Sequence, residues 1–274
     1  MTHPAATVPL SVASNVRRRW PDRADDWTHQ VVDELHGLCG RYQATPRRVL
    51  PARYGFVVVV DTAYGGLVMR ASPDPNGPNQ ASVAAALADL GIAPTVHETI
   101  HTDTGTWTIL DEVRPATPLA EADDARATLD SLAAPLAAMA DRPPPGPGMP
   151  SIIEWLRGRL VDDHVTDLAP GADRAQAYAR RDAIEVLDDL ARGVTPQLCH
   201  GDVSPWNVLA HDAAGWMLID PRGMSGEVSY DAATLALKVA RRQPGITTAR
   251  LAEAVGVDPE RLVAWTIVAD AARV

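Results

Sequence analysis

The sequence predicts an α+β protein in which a β-rich part precedes a mainly helical part. Short runs of β-branched residues, separated by turn residues, recur up to about residue 113. After Pro118 they give way to alanine- and leucine-rich stretches with helical spacing. The chain has 274 residues, 46% of them apolar, which is enough for one protein of two lobes. We therefore expect an N-terminal lobe over residues 1–113 and a helical C-terminal lobe over residues 114–274.

Local patterns define the elements of the N-terminal lobe. Apolar residues at helical spacing predict a helix over Ala24–Gly40. An alanine-rich stretch predicts a second helix over Gln80–Leu90, with Asn79 as its N-cap. The β-type runs predict strands, the first two joined by a hairpin turn: Phe56–Thr62, Leu67–Ala71, Thr95–His101 and Thr106–Val113.

The C-terminal lobe is expected to consist largely of packed helices. Prolines and glycines in Asp141–Gly148 end one helix, and Ser151 with Glu154 has the form of a capping box that opens the next. Asp258 is the expected N-cap of the last helix, which has proline at its first position. Apart from the helix after Ser151, the predicted ranges are Glu121–Ala140, Ala172–Arg192, Tyr230–Arg242, Thr248–Val255 and Pro259–Ala272.

Composition restricts the partners of the protein. A formal charge of −10 argues against a nucleic-acid surface, and it suits either a cationic ligand or solubility alone. No apolar run reaches the roughly 18 residues that a membrane span needs. The only cysteines, Cys39 and Cys199, lie far apart, and Met1–Val12 lacks the pattern of a signal peptide. We therefore expect a cytoplasmic protein with reduced thiols, either a monomer or a homodimer.

Two neighbouring segments contain the residue types that phosphoryl transfer requires. They are Gln197–Leu209 and Trp216–Pro221. The reaction needs a carboxylate near the acceptor hydroxyl and oxygen ligands for the Mg²⁺ that bridges the phosphates of a nucleoside triphosphate. Asp202 is the candidate base, and Asn207 and Asp220 are the candidate metal ligands. Taken singly, each could be a turn former or a cap; the joint pattern favours the catalytic interpretation.

A predicted hairpin gives a geometric reason for this grouping. Its arms are Val208–Ala210 and Met217–Ile219, and its loop is the turn-like tetrapeptide Asp212–Gly215. Antiparallel pairing then joins residues whose numbers sum to 427, a condition that Asn207 and Asp220 satisfy. We therefore expect these two side chains to lie side by side at one end of the hairpin.

The same segments resemble a known family. His200–Leu209 resembles the catalytic loop of aminoglycoside phosphotransferases, which have a protein-kinase-like fold. Ile219–Gly223, followed by Gly226–Asp231, resembles the streptomycin 6-kinase and hydroxyurea-resistance branch, and the likeness is strong over roughly Gln197–Leu237. The resemblance implies a bilobal kinase fold that uses ATP or GTP with Mg²⁺. It also implies a small-molecule acceptor, an aminoglycoside-like or nucleoside-type antibiotic that the reaction inactivates.

The resemblance also implies roles for residues around the base and metal ligands. Asp231 would brace the catalytic loop, or else cap the helix that starts nearby. Glu227 would lie near the substrate, and His200 belongs to the loop motif as a supporting residue. Arg222 stands where the branch tends to have lysine, and it would either neutralise the transferred phosphate or pair with a carboxylate.

On the nucleotide side the sequence departs from the family. Leu110–Val113 is the implied connection between the lobes, with backbone groups of Glu112 and Val113 reading the base. Kinases of this fold usually place a lysine on the third strand, paired with a helix glutamate. Here Arg70 stands in that strand, and the predicted helix over Gln80–Leu90 contains no glutamate. Lys238 is the only lysine of the chain.

Three other functions fit parts of the sequence. A metabolic sugar or amino-alcohol kinase would share the catalytic motif, because acceptor pockets leave little pattern in sequence. The missing lysine and glutamate would suit a kinase-like binding protein without activity, although the motif residues argue against it. Thr247–Leu262 has the form of a helix-turn-helix, but it is barely basic, so we interpret it as two packed helices.

Overall fold

The computed structural model describes residues 6–122, 128–168, 171–239 and 246–274. The chain divides into two compact units, Met1–Ala81 with Pro94–Glu112 and Ser82–Ala93 with Val113–Val274. This division differs from the predicted lobes, because residues 82–93 and Val113 belong to the second unit. The reason is hydrophobic: Val83 and Leu87 are fully buried in the core of that unit. The α+β class is confirmed.

The first unit is an antiparallel sheet with helices. Its strand order is β1-β2-β3-β5-β4. All of its predicted strands are present, each within two residues of the expected ends. The observed helix Pro21–Tyr42 begins three residues before the predicted range Ala24–Gly40 and ends two residues after it. The elements of this unit, the last helix of which continues into the second unit, are α1 Leu10–Arg19, α2 Pro21–Tyr42, β1 Thr45–Val49, β2 Phe56–Thr62, β3 Gly65–Ser72, β4 Val96–His101, β5 Thr106–Asp111 and α3 Gly77–Asp89.

The core of the first unit lies between the sheet and the two N-terminal helices. Helix α2 buries Trp27, Val31 and Leu35, which recur every four residues and so share one face. Buried side chains of the sheet, among them Phe56 and Trp107, complete the same cluster. The spacing that predicted helix α2 is therefore the spacing of its packed face.

Helix α3 begins earlier than predicted. It starts at Gly77, where the N–H donates to the Asp74 carbonyl at 2.8 Å, so Asn79 is inside the helix and is not its N-cap. A side chain at position 77 is excluded, because its Cβ would lie 2.7 Å from the Thr106 Oγ1 atom. The tight approach of this turn to the start of β5 thus fixes the start of the helix.

The second unit is mainly helical, with two small sheets. One sheet has the order β6-β8-β9, and the other pairs β10 with β7. Helix α7 is buried along most of its length. The elements are β6 Pro115–Pro118, α4 Leu129–Met139, α5 Ile152–Val161, α6 Ala177–Ala191, β7 Gln197–Cys199, β8 Val208–His211, β9 Gly215–Leu218, β10 Met224–Gly226, α7 Val228–Val239, α8 Thr248–Val255 and α9 Pro259–Ala272.

Capping explains where several helices begin. Thr128 caps α4 by accepting the Ser131 N–H, so this helix does not start at Glu121 as predicted. Three predictions fall partly outside the described residues. The helix expected over Glu121–Ala140 includes residues 123–127, and the helix expected over Tyr230–Arg242 ends within residues 240–245. The segment Met1–Val12, searched for a signal peptide, includes residues 1–5. Ser151 caps α5, as predicted. Helix α6 starts at Ala177, five residues later than expected.

The last two helices have the predicted bounds. Asp258 caps α9 by accepting the Glu260 N–H at 2.9 Å, and α8 is followed by Gly256 in a left-handed conformation. Leu251 of α8 and Trp265 of α9 are fully buried in the core of the unit, which fits the interpretation as packed helices. Within the part of the chain that the structure describes, no helix has the length and apolar character that crossing a membrane requires.

Candidate active site

The candidate catalytic loop connects β7 to β8 and is held by helix α7. The Asp231 carboxylate, fully buried, accepts the N–H groups of His200 and Gly201, each at 2.8 Å. Burial raises the pKa of Asp231 to about 7, although these two hydrogen bonds act in the opposite direction. The carboxylate therefore braces the backbone of the loop, as the first of the two predicted roles requires.

His200 is fixed in one tautomer by its two neighbours. Its Nδ1 atom accepts the Asp202 N–H at 3.2 Å, so the proton resides on Nε2, which donates to the Ile219 carbonyl at 2.9 Å. The side chain is fully buried, and this burial lowers the pKa of His200 to about 4. A neutral imidazole thus joins the catalytic loop to the end of β9 and supports the backbone at Asp202.

Asp202 carries one cation on each of its carboxylate oxygens. Arg222 Nη2 lies 3.0 Å from Oδ2, and Lys238 Nζ lies 3.4 Å from Oδ1. Burial alone would raise the pKa of Asp202, but the charges of Arg222 and Lys238 outweigh it and lower the pKa. The carboxylate is therefore ionised at neutral pH, which is the form that a proton acceptor needs, and 29% of its surface stays exposed.

Arg222 is itself held by several groups. Its N–H and side-chain Nε donate to the carbonyls of His200 and Gly201, at 2.8 and 3.1 Å. The guanidinium lies 4.2 Å from the centre of the Trp155 ring, within the range of a cation–π contact. Of the two predicted roles, the structure shows the pairing with a carboxylate. The loop also passes too close to Arg222 for a side chain at position 201, because a Cβ at Gly201, whose φ is +82°, would lie 2.9 Å from Arg222 Cβ.

The predicted register of the hairpin is wrong by one residue. The observed pairs, such as Val208 with Leu218, sum to 426. The reason is the turn: Gly215, with a φ of +79°, already belongs to β9, which leaves three loop residues where four were expected. Ile219 therefore lies opposite Asn207 and donates its N–H to the Asn207 carbonyl at 2.9 Å. Asp220 follows it with a φ of +57°, beyond the end of β9.

Asn207 has an oxygen that suits a hard cation. Its Nδ2 group donates to the Asp202 carbonyl at 3.0 Å, so the amide is oriented with its nitrogen toward the loop. The amide oxygen is then the atom that could bind a metal, and Asp220 follows Ile219, the residue opposite Asn207. Oxygen ligands of this kind are the ones that Mg²⁺ prefers, and the residues present fit such an ion.

Glu227 is engaged in a separate ion pair. Arg261 donates to both of its oxygens, at 2.6 and 2.8 Å, and Trp265 Nε1 also donates to it. The Glu227 side chain is only 10% exposed. These contacts join the start of α7 to α9, and the predicted position of Glu227 near a substrate stays a prediction.

The residues predicted to bind the nucleotide lie mostly in the first unit. Arg70 of β3 donates to the Gln80 Oε1 atom at 3.1 Å, and Gln80 Nε2 donates to Asp74 at 2.9 Å. A glutamine thus occupies the helix position from which a glutamate was expected. The Glu112 N–H donates to the Gly66 carbonyl at 3.2 Å, so that amide is already engaged. Val113, in the second unit, is buried.

Sequence reasoning did not place Lys238 in the site. Two signals pointed to it: it is the only lysine of the chain, and it follows Asp231 by seven residues on the same helix. Residues at that spacing share one helix face, and Asp231 faces the catalytic loop. Gln80 was likewise visible as the first polar side chain of its predicted helix.

Comparisons with known proteins agree with this geometry. Residues 108–272 match the family described as aminoglycoside/hydroxyurea antibiotic resistance kinase. The chain is 34% identical over 141 residues to a streptomycin 3''-kinase from Klebsiella pneumoniae, covering 47% of this chain and 48% of that protein. It is 25% identical over 171 residues to a streptomycin 6-kinase from Streptomyces glaucescens, covering 58% and 54%.

The fold is also found among solved structures. An aminoglycoside-3'-phosphotransferase of type VIII matches with a TM-score of 0.61 and 20% identity, covering 88% of this chain and 98% of that one. This likeness confirms the predicted kinase-like fold. The chain spans about half the length of the curated relatives it matches. Because the family match covers more than half of the 274 residues, the chain belongs to the aminoglycoside/hydroxyurea antibiotic resistance kinase family.

Proposed function

We propose that this protein transfers the γ-phosphoryl group of a nucleoside triphosphate to a hydroxyl group of a small-molecule antibiotic. The observation that carries the proposal is the ionised Asp202, partly exposed on a loop whose backbone is fixed by Asp231 and His200. A phosphotransferase of this kind does little covalent chemistry and relies on positioning and on charge stabilisation. The braced Asp202 carboxylate supplies the positioning, and the two cations beside it supply the charge stabilisation.

In the proposed reaction, Asp202 accepts the proton of the acceptor hydroxyl. The acceptor oxygen forms a bond to the γ-phosphorus, and the bond from that phosphorus to the bridging oxygen breaks, releasing the nucleoside diphosphate. The low pKa of Asp202 makes it a weak base, but a loose phosphoryl-transfer transition state removes the hydroxyl proton late. Its main contribution is then to orient the hydroxyl.

Asn207 and Asp220 would hold the magnesium ion. When bound, Mg²⁺ neutralises charge on the phosphates of the donor. One amide and one carboxylate are a small ligand set, which suits a cation that takes its other ligands from phosphates and water. The loop residues hold Asn207 in place through its hydrogen bond to the Asp202 carbonyl.

Arg70 is the proposed ligand of the donor phosphates. A guanidinium binds phosphate oxygens through two parallel N–H groups, and Gln80 supports it without neutralising its charge. Backbone groups at Glu112 and Val113 are the proposed contacts of the base. We place ATP and GTP on equal terms as donors.

The acceptor class follows from the family to which the chain belongs. Two relatives are named as streptomycin kinases, and the family name adds hydroxyurea. We propose an aminoglycoside-like antibiotic as acceptor, whose inactivation confers resistance. The acidic net charge of −10 favours association with such a cationic compound. A cytoplasmic location is part of the proposal, since the proposed donor is a nucleoside triphosphate.

A phosphorylation screen tests this function. The protein is incubated with Mg²⁺ and ATP or GTP against streptomycin, other aminoglycosides, hydroxyurea, simple sugars and amino alcohols, with release of the diphosphate as readout. We expect turnover with at least one antibiotic and a loss of about 100-fold or more in Asp202→Asn. The matched control is Asp258→Asn, which alters an exposed helix cap. Full activity of Asp202→Asn, or turnover of sugars alone, would contradict the proposal.

A further inference from the structure

Lys238 lies beside the candidate base Asp202, a position for which the sequence predicted no role. It is the only lysine among 25 basic residues, so its position near Asp202 does not reflect a generally lysine-rich surface. Its side chain is 23% exposed, and burial lowers the pKa of the ammonium, against the opposing effect of Asp202. A partly desolvated cation in this place calls for anionic partners.

The two cations on Asp202 are held very differently. Arg222 makes contacts with a backbone carbonyl, with the carboxylate and with the Trp155 ring. Lys238 makes one ion pair among the described residues, and its 3.4 Å distance is long for a charged N–H···O bond, which is usually 2.7–2.9 Å. An ammonium on a flexible stem with three donors can change partners at little cost. Lys238 is therefore the movable member of the pair.

We propose that Lys238 is a catalytic residue that moves from Asp202 to the transferred phosphoryl group. The inference rests on the proposed phosphotransferase function. In the resting protein, Lys238 covers the Oδ1 oxygen, the one without the fixed arginine. The arriving acceptor hydroxyl takes that position and gives its proton to Oδ1. As Asp202 loses its negative charge, the phosphoryl oxygens become the nearest anions.

The charges and atoms balance in this step. The acceptor proton goes to Asp202, the acceptor oxygen bonds to the γ-phosphorus, and the nucleoside diphosphate leaves with the bridging oxygen. Lys238 stays protonated throughout and exchanges one anionic partner for another. A cation that binds the phosphoryl group only as the reaction proceeds raises kcat more than it lowers KM.

Helix α7 makes this arrangement stable. Asp231 holds the backbone of the loop, and Lys238 lies two helical turns later on the same face. The backbone of Lys238 therefore keeps its position relative to the catalytic loop when the ion pair opens, and only the side chain moves. The seven-residue spacing of Asp231 and Lys238 on one helix thus sets how far the Lys238 side chain is from Asp202.

The experiment compares Lys238→Met with a matched control, Arg192→Met. Arg192 is 73% exposed and pairs with Asp189 on the surface, so both variants lose one positive charge. With the antibiotic found in the screen, we expect kcat of Lys238→Met to fall about 100-fold while KM for the acceptor changes less than about threefold. Arg192→Met should stay within about twofold of wild type. Circular dichroism and thermal unfolding verify that both variants fold.

Chemical restoration of the amine distinguishes a catalytic from a structural lysine. Lys238→Cys, alkylated with 2-bromoethylamine, regains an ammonium at nearly the original length. Cys39 and Cys199 are buried, and treated wild-type protein controls for their modification. We expect alkylation to recover kcat to within about tenfold of wild type.

Three results would overturn the inference. A Lys238→Met kcat within threefold of wild type removes the catalytic role, and so does a loss confined to KM. Failure of alkylation to restore a folded Lys238→Cys protein shows that the amine itself is not required. In each case Asp202→Asn still loses activity, so the proposed function stands. A wild-type protein that turns over no acceptor refutes both.

Discussion

The neutral state of His200 makes the stability of the protein dependent on pH in a defined window. The folded protein holds the His200 pKa at about 4, because the ring is buried and its Nδ1 atom faces the Asp202 N–H. The ordinary value is 6.5. Between these values the unfolded chain binds a proton that the folded chain does not, so stability is complete above about pH 6.5 and falls as the pH drops toward 4.

The size of this effect follows from the same two values. A difference of about 2.5 pKa units, at about 1.4 kcal/mol per unit, amounts to about 3 kcal/mol. His200→Asn places an amide oxygen where Nδ1 accepts the Asp202 N–H, but it does not titrate. Other groups titrate in the same range, so the quantity of interest is the difference in unfolding free energy between wild type and this variant.

Urea unfolding from pH 4 to pH 7 measures that difference. We expect wild type to exceed His200→Asn by a margin that shrinks by about 3 kcal/mol as the pH falls across the range. Nitrogen-15 NMR of the imidazole adds a direct check, with the proton on Nε2 down to about pH 5. A margin that stays constant with pH, or a ring that is protonated at pH 6, would refute the reasoning.

The remaining predictions concern stability in the second unit. Asp231→Ala should lower the unfolding free energy by about 3–5 kcal/mol, because two buried N–H groups lose their acceptor, whereas Asp258→Ala should cost about 1 kcal/mol as the loss of an exposed cap; equal costs in urea unfolding would contradict this. In a double-mutant cycle of Glu227→Gln and Arg261→Met, we expect a coupling of about 1–3 kcal/mol, and a coupling near zero would show that the pair contributes nothing. Trp206→Ala should change stability by less than about 1 kcal/mol in thermal unfolding, since its side chain is 61% exposed; a larger loss would mean that the ring is packed.

Local sequence signals predicted the parts of the fold that local forces determine. Strand β2 is a run of β-branched residues, and it was predicted with its observed ends. Helix α9 has both an N-cap, Asp258, and a proline at its first position, and its bounds were also predicted. Where the start of a helix depends on tertiary contacts, as with Gly77 against Thr106, the sequence misplaced it by a few residues.

The register error at the β8–β9 hairpin has a physical cause of the same kind. Whether Gly215 closes the turn or opens the strand depends on its positive φ, which glycine allows but does not require. A one-residue difference changes which side chain faces Asn207. The expectation that Asn207 and Asp220 lie at the same end of the hairpin needs only the hairpin and not its exact register, and it stays a prediction.

Lys238 shows why a residue beside a candidate site can be missed even when the motif of the catalytic loop is recognised. The candidate base and the candidate metal ligands lie within nineteen residues of one another in two adjacent segments, so their spacing alone groups them. Lys238 joins them only through the direction of helix α7, which is set when Asp231 binds the loop backbone. Once one residue of a helix is known to face a site, every residue three, four or seven positions away becomes a candidate. On α7 that rule selects Thr234 and Leu235, which are buried, and Lys238, which alone carries a charge to the site.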